Sequence, residues 1–320
     1  MTTTMAPLRL ATRGSPLALW QANFVAQQLR PLVHPRAVEL VLIQTHGDRV
    51  QDQPLAQIGG DGLFTKEVQH ALLDHRADVA IHSLKDLPTA PVAGLTLAAV
   101  PPRGPTGDAF ISRTYRRFDD LPVGATLASG SLRRRAQILH RRPDLRLVDL
   151  RGNIDTRLRK LDQQGLDGLV LAEAGLLRLG LAEVITEILD PSWMLPAVGQ
   201  GALGLECRAD DALTISYVRL LDDPATRAAV EAERALLYAL GGGCLVPIGT
   251  ATHSELDWLR LRAAVLAPDG SRRIVLSREG PSTQARRLGA ELAADLLAAG
   301  ADQLLALPRS PAGLAPPPRD

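Results

Sequence analysis

Aromatic residues are scarce in this chain: phenylalanine, tryptophan and tyrosine together make up 3% of 320 residues. A protein that stacks on single-stranded nucleic acid needs a platform of such rings, and none interleaves the basic stretch Leu132–Arg142, so nucleic acid is not the expected partner. Cysteine is scarcer, with Cys207 and Cys244 the two in the chain. Two cannot build a disulfide framework, and no Cys/His set has metal-ligand spacing. The expectations are a reduced, cytoplasmic compartment and no metal. Net charge is only +1, which argues against bulk binding to polyanions. Apolar stretches such as Leu166–Leu171 are broken well short of ~18 residues, so no membrane span is expected. The N-terminal segment lacks a basic region followed by an apolar core, and no signal peptide is read. Lysine occurs only at Lys66, Lys85 and Lys160, and the other cationic side chains are arginine. Base composition accounts for most of that bias. It also singles out the three lysines, because a compact ammonium and a planar guanidinium are not equivalent.

What is present is a globular composition, 46% hydrophobic and 22% charged, at a length that suits two or three domains. Strand and helix alternate first. Leu8–Thr12 reads as a strand, and Ser15-Pro16 then caps a helix running to about Leu29. Val38–Gln44 and Asp78–Ser83 read as strands. Between them lie a glycine-rich loop, Ile58–Gly62, and an apolar helical face of Phe64, Val68, Ala71 and Leu72. This is the grammar of a parallel sheet covered on both faces. Pro101–Pro105 breaks the pattern. It then restarts with strands Thr126–Ala128, Leu145–Leu150 and Gly168–Ala172 and helices Leu132–Arg141 and Ile154–Leu161. A second crossing is expected at Pro196–Gly201. Beyond Pro224 come a helix (Ala225–Leu240), strands Leu259–Ala267 and Arg272–Arg278, and a last helix near Thr283–Ala299. The expected organisation is an α/β domain over 1–101 completed by 200–220, a second over 102–199, an α+β domain over 221–307, and a disordered tail, 308–320.

Ligands of open α/β sheets lie at the carboxyl ends of strands, and those junctions share one chemistry here. They carry Arg13 and Ser15; Lys85 and Asp86; Ser129, Ser131, Arg133 and Arg134; Arg151 and Arg157; and Arg178. Hydroxyls, free backbone N–H groups and arginines at helix N-termini form anion sites, and arginine grips carboxylates with two bonds. Taken alone, Ser15 and Ser131 are plain N-caps, and Arg133, Arg134, Arg135, Arg141 and Arg142 a solvated helix face. Their shared location favours a ligand with several carboxylates. Asp86, the one carboxylate of its turn, is expected to stay ionised among cations, suited to stabilising a cationic intermediate and relaying protons; otherwise it shapes the loop by pairing with Lys85. Cys244 follows three glycines, whose freedom presents the thiol on a loop. Cys207 reads as a buried strand residue.

Six segments in order carry a resemblance: Ala11–Ala22, His82–Pro88, Ser131–Arg134, Leu150–Asn153, Leu195–Gly201 and Gly242–Gly249. Together they resemble the porphobilinogen deaminase family, over about residues 8 to 305. The resemblance implies two periplasmic-binding-protein-like α/β domains with a hinged cleft plus a small C-terminal α+β domain. It implies a transferase of porphyrin biosynthesis that joins four porphobilinogens into hydroxymethylbilane on a dipyrromethane cofactor, held covalently by a thioether to Cys244. It implies that Asp86 contacts pyrrole nitrogens and stabilises the azafulvene cation left by loss of ammonia. Arg13, Ser15, Lys85, Ser129, Ser131, Arg133, Arg134, Arg151, Arg157 and Arg178 match positions that hold acetate and propionate groups; Phe64 and Gln200 are pyrrole-contact or loop candidates. A cytoplasmic monomer is expected, with room for transient contact with the next enzyme of the pathway. Three positions depart from the family pattern: Asp61 where a lysine is common, Gly130 where a hydroxyl is common, and Leu245 where glutamine is frequent.

Overall fold

The computed structural model describes residues 6–49, 62–243 and 246–306. Cys244, Leu245, Asp61, most of the Ile58–Gly62 loop and the tail 308–320 lie outside the described residues. The strands are β1 (Leu8–Thr12), β2 (Val38–Leu42), β3 (Val79–Ser83), β4 (Leu95–Ala99), β5 (Asp108–Ile111), β6 (Thr126–Ala128), β7 (Arg146–Val148), β8 (Gly168–Ala172), β9 (Glu187–Ile188), β10 (Leu203–Arg208), β11 (Ile248–Glu255), β12 (Trp258–Leu266) and β13 (Arg273–Pro281). The helices are α1 (Pro16–Val33), α2 (His46–Arg49), α3 (Lys66–Leu73), α4 (Leu132–Arg141), α5 (Ile154–Gln163), α6 (Glu173–Arg178), α7 (Ala212–Val218), α8 (Pro224–Ala239), α9 (Ala285–Ala298) and α10 (Ala301–Leu305). Two compact units hold these elements, and the chain passes between them after Gly104, Gln200 and Arg227.

The first unit is built on a sheet of order β2-β1-β3-β10-β4. Side chains alternate across it, as a strand requires. Leu8 and Leu10 of β1 and Val79 and Ile81 of β3 meet the α1 face through Ala22, Val25 and Leu29. Ala11 and Ala80 face the other way, onto Val68, Ala71 and Leu72 of α3. Helix α1 starts where Ser15 Oγ accepts the Ala18 N–H at 3.4 Å, with Pro16 following. It runs four residues beyond the predicted end at Leu29, to Val33, with Pro31 in its last turn. There a proline removes one N–H bond near an end that would fray anyway.

The second unit repeats the arrangement as β7-β6-β8-β5-β9. Leu127 and Val170 face one core, and Ala128, Leu169 and Leu171 face the other. Neither sheet is purely parallel, which corrects the sequence expectation. β10 runs antiparallel to β3 and β4, and β5 antiparallel to β8 and β9. β10 reaches its sheet from beyond the second chain crossing, whereas β5 opens the continuous segment that builds the second sheet.

The same unit carries an antiparallel meander, β11-β12-β13. Leu259, Leu261, Ala263 and Val265 of β12 pack under α8, α9 and α10. Ala264 and Leu266 point to the opposite face, onto Ala136 of α4 and Leu195. Strand β11 was not expected from the sequence; β12 pairs with it along its whole length.

Candidate functional site

In the first unit, β3 delivers Asp86 through a single 3-10 turn, Leu84–Asp86. The turn is fixed from below. Leu84 and Leu87 are buried, and the Leu84 N–H donates to the Ala202 carbonyl at 3.0 Å. Gly204 makes this approach possible, since a Cβ there would stand 2.7 Å from Leu84 Cδ1. With both leucines held inward, Lys85 and Asp86 remain half-exposed at the carboxyl end of the strand. Ser83 is oriented by Gln21, whose Nε2 donates to its Oγ at 2.9 Å. Behind it, His82 Nε2 lies 3.1 Å from buried Glu206, which also accepts from Gln69 at 3.1 Å.

At the neighbouring β1–α1 junction, the Arg13 guanidinium lies over the Phe64 ring, 4.2 Å from its centroid. Phe64 in turn sits on Gly47, where any Cβ would fall 2.2 Å from Phe64 Cε1. The ring therefore orients Arg13, a cation–π contact of the strong-geometry kind. Ser15 caps α1 as described.

In the second unit, Ser131 caps α4, accepting from the Arg134 N–H at 3.4 Å, and Ser129 Oγ accepts from the Ser131 N–H at 3.3 Å. Arg133 and Arg134 then stand in the first turn, where the helix dipole disfavours cations. Asp108 resolves this. It is fully buried and accepts from Arg133 Nη1 at 2.5 Å and from Arg134 Nε at 2.9 Å. Arg133 also donates to the Leu195 carbonyl at 2.6 Å, and Arg134 to the Val170 carbonyl at 3.1 Å. Burial alone would raise the Asp108 carboxyl; the two guanidiniums outweigh it and hold it well below the usual range. The pair read from sequence as carboxylate holders is thus buried and shares one internal carboxylate, which leaves one positive charge in excess. Arg133 Nε, buried, makes no hydrogen bond.

Gln200, a pyrrole-contact or loop candidate from the sequence, lies in the interior. It is fully buried, and its Nε2 lies 2.6 Å from the Thr106 carbonyl, 3.1 Å from that of Gly107 and 3.0 Å from Asp108 Oδ1. It ties the two chain crossings together. Arg151 follows β7, Arg157 lies within α5 and Arg178 is the last residue of α6; all three are half-buried, and Arg157 Nε donates to the Gly152 carbonyl at 2.8 Å.

Three half-buried guanidiniums, Arg135, Arg151 and Arg178, are pushed down from the ordinary arginine pKa by burial. An incoming carboxylate offsets that cost by its opposite charge. The donor set therefore fits a small polycarboxylate such as a dipyrromethane bearing acetates and propionates. Cys207 does not suit covalent attachment: it is fully buried in β10, and burial pushes its thiol up to about 12. Among the described residues no group of three His, Cys, Asp or Glu side chains is gathered as a metal site, and no helix is long and apolar enough to cross a membrane.

The sequence reading missed Asp108, Gln137 and Glu233. Asp108 begins a strand whose four residues are all buried, and an acid in such a run was the available signal. Gln137 Nε2 donates to the Leu195 carbonyl at 3.0 Å. Glu233, fully buried on α8, accepts from Gly199 N–H at 2.7 Å and Thr252 Oγ1 at 2.9 Å. No pattern marked either residue in sequence.

Comparison with known proteins adds to this. The family model described as porphobilinogen deaminase, dipyromethane cofactor binding domain, matches residues 8–216. The porphobilinogen deaminase C-terminal domain matches residues 227–298. A porphobilinogen deaminase from Syntrophotalea carbinolica is 49% identical over 299 residues, covering 93% of this chain and 95% of that one. Among solved structures, a nutrient-binding protein from Burkholderia cenocepacia bound to methionine is 13% identical, with a TM-score of 0.42, covering 68% of this chain and 93% of its own. Lipoprotein Tp32 from Treponema pallidum is 15% identical, with a TM-score of 0.42 and coverage of 68% and 90%.

Proposed function

The chain belongs to the porphobilinogen deaminase family, and on that premise we propose that Asp86 is its catalytic acid–base group and Cys244 the attachment point of its cofactor. The reaction is the joining of porphobilinogen into hydroxymethylbilane in porphyrin biosynthesis, with a dipyrromethane cofactor. When bound, that cofactor supplies the nucleophilic pyrrole end to which substrate is added.

The observation that carries the assignment of Cys244 is the state of the other thiol. The chain has two cysteines, and Cys207 is sealed inside β10 with its thiolate form disfavoured. A thioether needs an accessible, ionisable sulfur, which leaves Cys244 after its three glycines.

Asp86 stands on a turn anchored by two buried leucines, beside Lys85. Its carboxylate oxygens stabilise positive charge developing on substrate nitrogen and take up or return the proton there. Arg13, Ser15, Lys85, Ser129, Ser131, Arg151, Arg157 and Arg178 hold acetate and propionate groups. Arg133 and Arg134 supply their one excess charge from beneath. Arg13 is aimed by Phe64. We place the enzyme in the cytoplasm as a monomer, in transient contact at most with the next enzyme of the route. Intact-mass measurement tests the assignment: protein from a pyrrole-replete host carries a dipyrrole mass, and Cys244→Ser protein has the mass of the bare chain. A mass increment surviving in Cys244→Ser would remove that residue from the mechanism.

A further inference from the structure

Between β7 and α5 the chain reads Asp149-Leu150-Arg151. Leu150 is buried in the core, and Asp149 and Arg151 on either side are half-buried. A Cβ built on Gly130 would stand 2.8 Å from Asp149 Oδ1 and 3.4 Å from the Leu150 carbonyl. The Asp149 carboxylate thus occupies the hollow above Gly130, between Ser129 and Ser131 at the β6–α4 junction. We propose that Asp149 is a specificity-determining residue of the carboxylate site, an internal anion that lowers the grip of Arg135 and Arg151 on ligand carboxylates. The inference rests on the reading that these junctions bind carboxylates.

The charge argument follows from position. Burial works against the charged forms of Arg135 and Arg151, and the nearby Asp149 charge supports both. The protein therefore keeps a carboxylate of its own among groups that would otherwise bind a ligand's most tightly. An arriving carboxylate meets repulsion from Asp149 as well as attraction from the arginines. A polyanion that lengthens during the reaction has to move along its site, and moderated attraction allows that. The glycine is part of the device: a serine at position 130 would contest the space.

Asp149→Asn removes the charge and keeps the shape. The KM for porphobilinogen should fall about fivefold, and the inhibition constant of benzenehexacarboxylate at least as far, the scale of one like-charge interaction removed at a half-buried site. Gly130→Ser should shift both constants the same way by a smaller factor. Unchanged or raised constants in Asp149→Asn overturn the inference. Arg151→Leu separates this from the reading beneath it. If Arg151→Leu raises both constants while Asp149→Asn leaves them unmoved, only the role of Asp149 falls; if neither variant moves them, the carboxylate site falls as well.

Discussion

Arg134 Nη2 lies 2.7 Å from Asp108 Oδ1, and no part of the Asp108 side chain reaches solvent. Asp108→Ala would strand two buried guanidiniums in the first turn of α4. Breaking a buried pair from one side costs about 3–5 kcal/mol, so the urea midpoint should fall by the corresponding amount. Asp108→Asn, which keeps hydrogen-bonding capacity, should fall by less.

The same carboxylate sets an acid limit. Asp108 and Asp78 are both held below the usual range: burial opposes this, and it is outweighed at Asp108 by Arg133 and Arg134 and at Asp78 by Arg9 and Arg208. A carboxyl with a depressed folded-state pKa contributes stability above its unfolded pKa, roughly 3.9, and loses that contribution as pH falls towards the folded value. Unfolding free energy should therefore decline as pH is lowered below about 4. In Asp108→Asn that slope should be shallower. An identical slope would mean Asp108 is not ionised in the fold.

Cys207 should be silent to thiol reagents near neutral pH. Its thiol is fully buried and pushed up to about 12, so alkylation requires unfolding. Cys207→Ala should keep the full pyrrole mass and lose about 1–2 kcal/mol to the cavity left behind. Loss of the mass increment in that variant would contradict the assignment of the attachment site.

Much of this was legible in the chain because local rules decided it. Strands β1, β6 and β8 and helix α4 lie where periodicity and caps put them, since Ser15 and Ser131 do cap their helices. What escaped was decided by partners distant in sequence. That residues 200–220 complete the first domain was expected, but the antiparallel insertion of β10 between β3 and β4 was not. Asp108 meets Arg133 across 25 positions and Gln200 across 92. The internal counter-ion of Arg133 and Arg134 is remote in sequence, and so are the carbonyls that Gln200 meets. Turn chemistry and side-chain period travel with the sequence; counter-ions do not.

Asp86→Asn should fold normally and turn over at a rate lower by about two orders of magnitude or more, the scale for losing one transition-state charge contact. The side chain is half-exposed on a turn held by its neighbours, so melting temperature should barely move. Rates close to wild type would end its assignment as the acid–base group.

Gly204→Ala tests whether catalysis depends on where the Asp86 turn sits rather than on the carboxylate alone. The new methyl would lie 2.7 Å from Leu84 Cδ1 and 3.1 Å from Leu97 Cδ1, so one of those leucines has to yield. Leu97 belongs to β4 and is fixed along the strand by pairing with β10. Leu84 begins the short 3-10 turn and is the softer of the two. Its displacement would carry Lys85 and Asp86 outward with it. Overpacking of this kind costs about 1–3 kcal/mol, and the loss should appear mainly in kcat. Cofactor loading, read by intact mass, should stay complete, because the substitution leaves the Cys244 thiol itself unchanged. A fall in stability with kcat unchanged would show that the turn's position is not critical to the reaction.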